Sequence, residues 1–307
     1  MSIGILIGKI AALFIVLFLG FLLVKCGIYK VNDSQILSRL CIYLAVPCSI
    51  LSAFQVTYTP SIRSGLLLAV GAAVLVHIVL IALFAVLGPI LHLNDIEKAS
   101  IIYSNAGNLV IPLVSSILGA DWVIYSSAYV SVQLFLLWSH GKMMICGETR
   151  PDLKKILTNV NMITILFGVF LFAAQISLPG PVDSAVRSLG AMIGPLAMLI
   201  AGMLIAGTTP KEVFSYPHIA LVTLLRLVGV PLLTISLLKF SGLASLAENG
   251  HQILLVTLLA TITPSASTIT QMAQVYGKDA RYAGAINVIT TLLCMISMPI
   301  MVYLYQI

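Results

Sequence analysis

Ser104-Asn105-Ala106-Gly107-Asn108-Leu109-Val110-Ile111-Pro112 lies in the middle of an apolar run, residues 99–118, and its reading decides the fold. A run of about 20 apolar residues can cross the hydrocarbon core of a bilayer as a helix. This one is at odds with itself at its centre. Pro112 has no amide hydrogen for the carbonyl of Asn108, and its ring crowds the preceding turn. Gly107 costs roughly 1 kcal/mol of helix stability relative to alanine. Asn105 and Asn108 at bilayer depth must find partners, because lipid offers none. A helix broken at mid-membrane answers all three problems, with freed backbone groups and amide side chains lining a hydrated pocket enclosed by protein. The plainer alternative is a proline kink whose polar side chains bond locally or to a neighbouring helix.

The rest of the chain has the composition of a protein dissolved in lipid. Of 307 residues, 60% are hydrophobic and 8% charged, against roughly 45–50% and 25% in a soluble domain. Sixteen Lys+Arg and ten Asp+Glu cannot coat a soluble surface of this size. Ten apolar runs emerge, at residues 3–24, 37–54, 65–87, 99–118, 122–138, 160–178, 185–207, 219–238, 252–275 and 282–304. They are continuous rather than alternating, which disfavours a β-barrel. Run 3–24 reads as an uncleaved first span, because no small-x-small site precedes Lys25, and Lys25 and Lys30 follow it. The expected fold is an all-α polytopic membrane protein of ten transmembrane helices.

Charge placement orients the spans. Loops on one side carry eleven of the cations, among them Lys25, Lys30, Lys98, Lys142, Arg150, Lys155 and Lys211. The other side carries Arg63, Arg187 and Lys239, so the richer side is cytoplasmic and both termini are extracytoplasmic. The protein is then a multi-pass protein of the cell membrane. The net charge of +6 is a topology signal with the lipid bilayer as partner, and no basic stripe suggests nucleic acid. The five cysteines show neither CxxC nor Cys/His spacing, so they read as small packing residues, with no metal and no cofactor.

Five runs precede a charged central loop and five follow it. An odd number per half inserts the halves in opposite senses, as in inverted-repeat transporters. The division is residues 1–145, a cytoplasmic linker at 146–159, and residues 160–307. Arg39 precedes Pro47 by the spacing at which Arg187 precedes Pro195. One shift places Gly119-Ala120-Asp121 on Gly277-Lys278-Asp279, and places 104–108 on 262–266. Span 9 thus repeats the interruption of span 4 with Thr263, Pro264, Ser265 and Ser267. Pro112 and Pro264 are expected to hold two breaks that cross at the midplane. Half-helix N-termini there carry partial positive charge and unpaired N–H groups suited to a carboxylate.

All ten acidic residues fall at loops or span ends, whereas a cation pump keeps a carboxylate inside the bilayer. An anionic solute is favoured. Arg226, inside span 8, is either a counter-charge for the substrate or a brace on broken-helix carbonyls. Gln133 and Asn287 are candidate pocket-lining amides or helix–helix hydrogen-bonding residues, His77 reads as a packing histidine rather than a proton relay, and Lys9 as a lysine that snorkels to the outer headgroups. With no HExxH or GxSxG motif and no acid at depth to orient a histidine, an enzyme is not expected. The rival reading is a cation/proton antiporter of similar architecture.

The segment Asn105-x-Gly107-Asn108-x3-Pro112-Leu113 resembles the auxin efflux carrier family. So do Leu44-Ala45-Val46-Pro47, the stretch Ala273-Gln274-Val275-Tyr276-Gly277-Lys278-Asp279, and a final span with Pro299. That family includes plant auxin exporters and bacterial permeases for malonate, malate and similar anions. The resemblance implies a five-plus-five inverted repeat, a scaffold group and a moving group of helices, and a central anion site where spans 4 and 9 cross. It also implies a homodimer, although no span shows a small-xxx-small dimer face. Plant members have an Asn-rich second crossover and a long cytoplasmic loop. The short loop and Thr263-Pro264-Ser265 look like the bacterial members, with a small organic anion as substrate.

Overall fold

The computed structural model describes residues 3–147, 154, 157–207 and 216–307. Their regular elements are all helices, with no strand among the described residues. Most of the linker, together with Arg150, Lys155 and Lys211, lies outside the described residues, as do the side chains of Lys9 and Asn108.

The chain opens with α1 (Ile3–Lys25). α2 (Ser34–Leu40) passes through a π-helical turn at Cys41–Ala45 into α3 (Val46–Ala53). Next come α4 (Pro60–Ile90), α5 (Asp95–Ile102), α6 (Ala106–Ile117) and α7 (Val123–Leu136), which continues through a π turn into α8 (Lys142–Cys146). The second half holds α9 (Val160–Ala174), α10 (Gly180–Ala191), α11 (Ile193–Ala206) and α12 (Ile219–Leu224). A π turn at Leu225–Gly229 leads into α13 (Val230–Phe240), followed by α14 (Gly250–Thr261), α15 (Ser267–Val275) and α16 (Ala280–Gln306).

Six helical stretches among the described residues are long and apolar enough to cross a bilayer: Val31–Ala53, Pro60–Ile90, Ala120–Cys146, Gly180–Ala206, Ile219–Phe240 and Ala280–Gln306. Phe14–Lys25, Val160–Ala174 and Gly250–Thr261 are shorter apolar helices. α4 shows what solvent they were built for. Thr59 caps its start by accepting from the Ile62 N–H at 3.1 Å, and Pro60 needs no partner in the first turn. Leu68, Ala72, Val76 and Leu80 form its buried stripe, yet the opposite face bears Leu67, Val74 and Ile78, exposed and just as apolar. A soluble helix would carry charge there.

Prolines bend the register in matched ways. Pro47 and Pro231 each occupy the second position after a π turn, where the missing N–H lets the ladder slip by one residue. Pro195 follows the interruption at Met192 between α10 and α11. α1 and α11 meet backbone to backbone. A Cβ on Gly202 would strike the Leu17 carbonyl, and one on Gly20 the Leu199 carbonyl. Leu17 and Met198 form a small buried cluster separate from the main core, with Leu109 packed against it and Phe14 against both.

Candidate functional site

α5 stops at Ile102 and α6 starts at Ala106; α14 stops at Thr261 and α15 starts at Ser267. The two interruptions lie against each other. The Asn105 N–H donates to the Pro264 carbonyl at 2.8 Å, and the Ala266 N–H donates to the Tyr103 carbonyl at 3.0 Å. Ser104 and Ser265 thereby form an antiparallel bridge pair. Non-helical backbone buried in an apolar interior has to be satisfied by protein, and here each break satisfies the other.

Side chains from neighbouring helices complete the accounting. Gln133, on α7, clamps Ser104: its Oε1 accepts from the Ser104 hydroxyl at 2.6 Å and N–H at 3.3 Å, and its Nε2 donates to the Ser104 carbonyl at 2.8 Å. On α16, the Asn287 Nδ2 donates to the Ser265 carbonyl at 2.6 Å, and the Thr290 hydroxyl accepts from the Ser265 N–H at 3.2 Å. Thr263 donates its hydroxyl to the Ala260 carbonyl at 2.9 Å, the acceptor that Pro264 leaves without its helical donor.

Arg226 is fully buried and reaches this centre from the π turn after α12. Its Nη1 donates to the Ile101 carbonyl at 2.8 Å. Its Nη2 donates to the carbonyls of Thr261 and Thr263, the latter at 2.7 Å, and its Nε to Thr263 at 3.2 Å. The guanidinium therefore sits on the C-terminal, partially negative ends of α5 and α14. The N-terminal ends of α6 and α15 are arranged differently. Neither N-cap residue, Asn105 or Ala266, makes a side-chain cap, and the Ser267 hydroxyl donates to Asn105 Oδ1 at 3.3 Å, joining the two helix starts. The four half-helix ends are thus sorted by charge: the negative pair is bound to a cation and the positive pair faces polar side chains.

A cavity of about 30 Å³, room for at least one water, adjoins the breaks and touches both Pro112 and Pro264. α1, α6, α11 and α16 wall it.

Asn105, Gln133, Arg226, Thr263, Pro264, Ser265 and Ser267 come together around the paired breaks. Gly107 and Asn108 occupy the first turn of α6. Pro112 requires a correction: it does not hold the first break, because it lies inside α6, which runs unbroken past it. The chain leaves the helix earlier, at 103–105, where hydrogen bonds are exchanged with 264 and 266. His77 is a packing residue, with Nδ1 2.7 Å from the Ala73 carbonyl and its ring against Tyr129.

Sequence reasoning missed Ser104 and Thr290, ordinary hydroxyls without a local signal. It also missed Glu97, placed at a span end but only 2% exposed. Glu97 is the second half of a capping box with Asn94, which was legible. The Tyr282 hydroxyl that donates to it at 2.6 Å, and His218 Nδ1 at 3.2 Å, come from far along the chain.

The comparison with curated proteins gives no match. The sequence pattern of one family, described as a membrane transport protein, matches the chain twice, over residues 5–154 and again over 149–302. The two matches together cover nearly all of a chain whose apolar helices suit a bilayer and whose breaks meet in its interior. The chain belongs to this membrane transport family, the family of the auxin efflux carriers.

Proposed function

We propose that the protein is a secondary carrier for a small organic anion, bound where the interruptions of spans 4 and 9 meet and moved by alternating access. In this reading the chain makes ten passes of the cell membrane as two inverted halves, residues 1–145 and 160–307, with both termini extracytoplasmic and a homodimer as the working assembly. The supporting observation is the sorting of the half-helix ends. Arg226 is spent on carbonyls, so it braces the site rather than meeting the solute, and the uncapped starts of α6 and α15 supply the positive potential. Asn105 and Ser267 supply polar contacts beside them. Such a site binds an anion without placing a mobile cation in the membrane.

Replacing Asn105 with alanine tests this. The Asn105→Ala variant should accumulate normally and lose substrate uptake in reconstituted vesicles. Full uptake by that variant would remove Asn105 from the site.

A further inference from the structure

The cavity beside the breaks is apolar apart from the Thr291 hydroxyl and the Cys294 thiol, and Asn105 and Asn287 stand one turn beyond its lining, at the breaks. On α6, Asn105, Leu109 and Pro112 follow one another on a single face at helical spacing, with Leu113 next to them. On α16, Asn287, Thr291, Cys294 and Met298 do the same. Both faces begin with an asparagine at the breaks and become apolar with distance from them. The polar atoms among the lining are already committed: the Thr291 hydroxyl donates to the Asn287 carbonyl at 2.7 Å, and the Cys294 thiol lies 3.6 Å from the Ile262 carbonyl. No lining residue is charged. From Asn105 to Pro112 the face rises about 10 Å.

From this gradient we infer that the carried anion has a single carboxylate, seated at the starts of α6 and α15, and a short aliphatic body lying along Leu109, Leu113 and Met298. This rests on the carrier reading above and narrows its substrate. A second carboxylate at the far end would lose its water and find no donor, a penalty that apolar groups do not incur. At about 30 Å³ the cavity is smaller than such a body. Admitting the body requires α1 and α11, which pack on Leu109 of α6 through Leu17 and Met198, to move off it. Met198 and Met298, unbranched and adaptable, are the lining best able to re-form around it.

The test uses the purified full-length chain in lipid nanodiscs, with thermal-shift titrations of hexanoate, adipate, malonate and phenylacetate at pH 7.5. Hexanoate should bind at least about tenfold more tightly than either dicarboxylate. Its stabilisation should vanish in Asn105→Ala, which separates site binding from partition into lipid. Met298→Arg, which sets a cation at the far end, should reverse the order of hexanoate and adipate. If that variant does not accumulate, the wild-type ranking decides alone. Adipate or malonate binding as tightly as hexanoate overturns the single-carboxylate inference and leaves the anion carrier standing. Phenylacetate binding tenfold more tightly than hexanoate overturns the aliphatic body. Absence of any carboxylate binding removes both the inference and the carrier reading.

Discussion

Replacing Arg226 by methionine and, separately, by lysine measures what holds the half-helix ends together. The guanidinium makes four N–H···O contacts to the carbonyls of Ile101, Thr261 and Thr263. Hydrogen bonds to a charged group contribute roughly 1.5–3 kcal/mol each, so losing contact with three carbonyls costs about 4–9 kcal/mol gross. Methionine also relieves the several kcal/mol spent on burying a charge that has no carboxylate partner. The net loss for Arg226→Met is then about 2–4 kcal/mol, a fall in Tm of roughly 3–6 °C for a chain of this size. Lysine keeps the charge buried and replaces a planar fork by one ammonium, which cannot reproduce donation to both helices. Arg226→Lys should therefore be destabilised at least as much as Arg226→Met. The assay is thermal unfolding followed by size-exclusion chromatography of the solubilised protein, beside uptake in vesicles. A lysine variant with wild-type Tm, or a methionine variant with unchanged Tm and uptake, would refute the bracing role.

Gln133→Leu should cost about 2–4 kcal/mol, because Ser104 would lose partners for its hydroxyl and carbonyl in a buried place; a melting curve and an uptake assay together check it. Gly202→Ala should drive α1 from α11 and cost about 1–3 kcal/mol, read as a lowered Tm that Gly71→Ala, where a Cβ meets nothing within 4 Å, does not show. Tyr282→Phe removes the 2.6 Å donor to buried Glu97 and should cost roughly 1.5–3 kcal/mol, measured against Tyr303→Phe, an exposed control on the same helix.

Much of the helical framework was readable because it follows from local chemistry. The run at 219–238 anticipates the stretch Ile219–Phe240, and the run at 282–304 anticipates α16 to within a turn. The paired landmarks Gly119 and Gly277 were also legible. Both glycines follow the C-cap of a second half-helix with positive φ, 111° and 65°, where a side chain would be strained. The aligned stretches 104–108 and 262–266 overlap the observed breaks, but what holds the first one was not readable. Pro112 is the conspicuous residue, yet a proline removes only one ladder bond, and α6 absorbs that loss. What ends α5 at Ile102 is a pair of backbone bonds to 264 and 266, and no local pattern encodes a partner that far along the chain. The same holds for Glu97. Asn94 and Glu97 announce a helix start, but their spacing says nothing of Tyr282 or His218.

The mutual bridge between the interruptions has a consequence for biosynthesis. When α5 and α6 leave the ribosome, the N–H of Asn105 and the carbonyl of Tyr103 lack the partners they have in the finished protein, since Pro264 and Ala266 are made about 160 residues later. Hydrocarbon cannot stand in for those partners. The early segment therefore has to wait in a wet or chaperoned setting, or as a straight helix that later opens, and its final shape is completed only when α14 and α15 arrive.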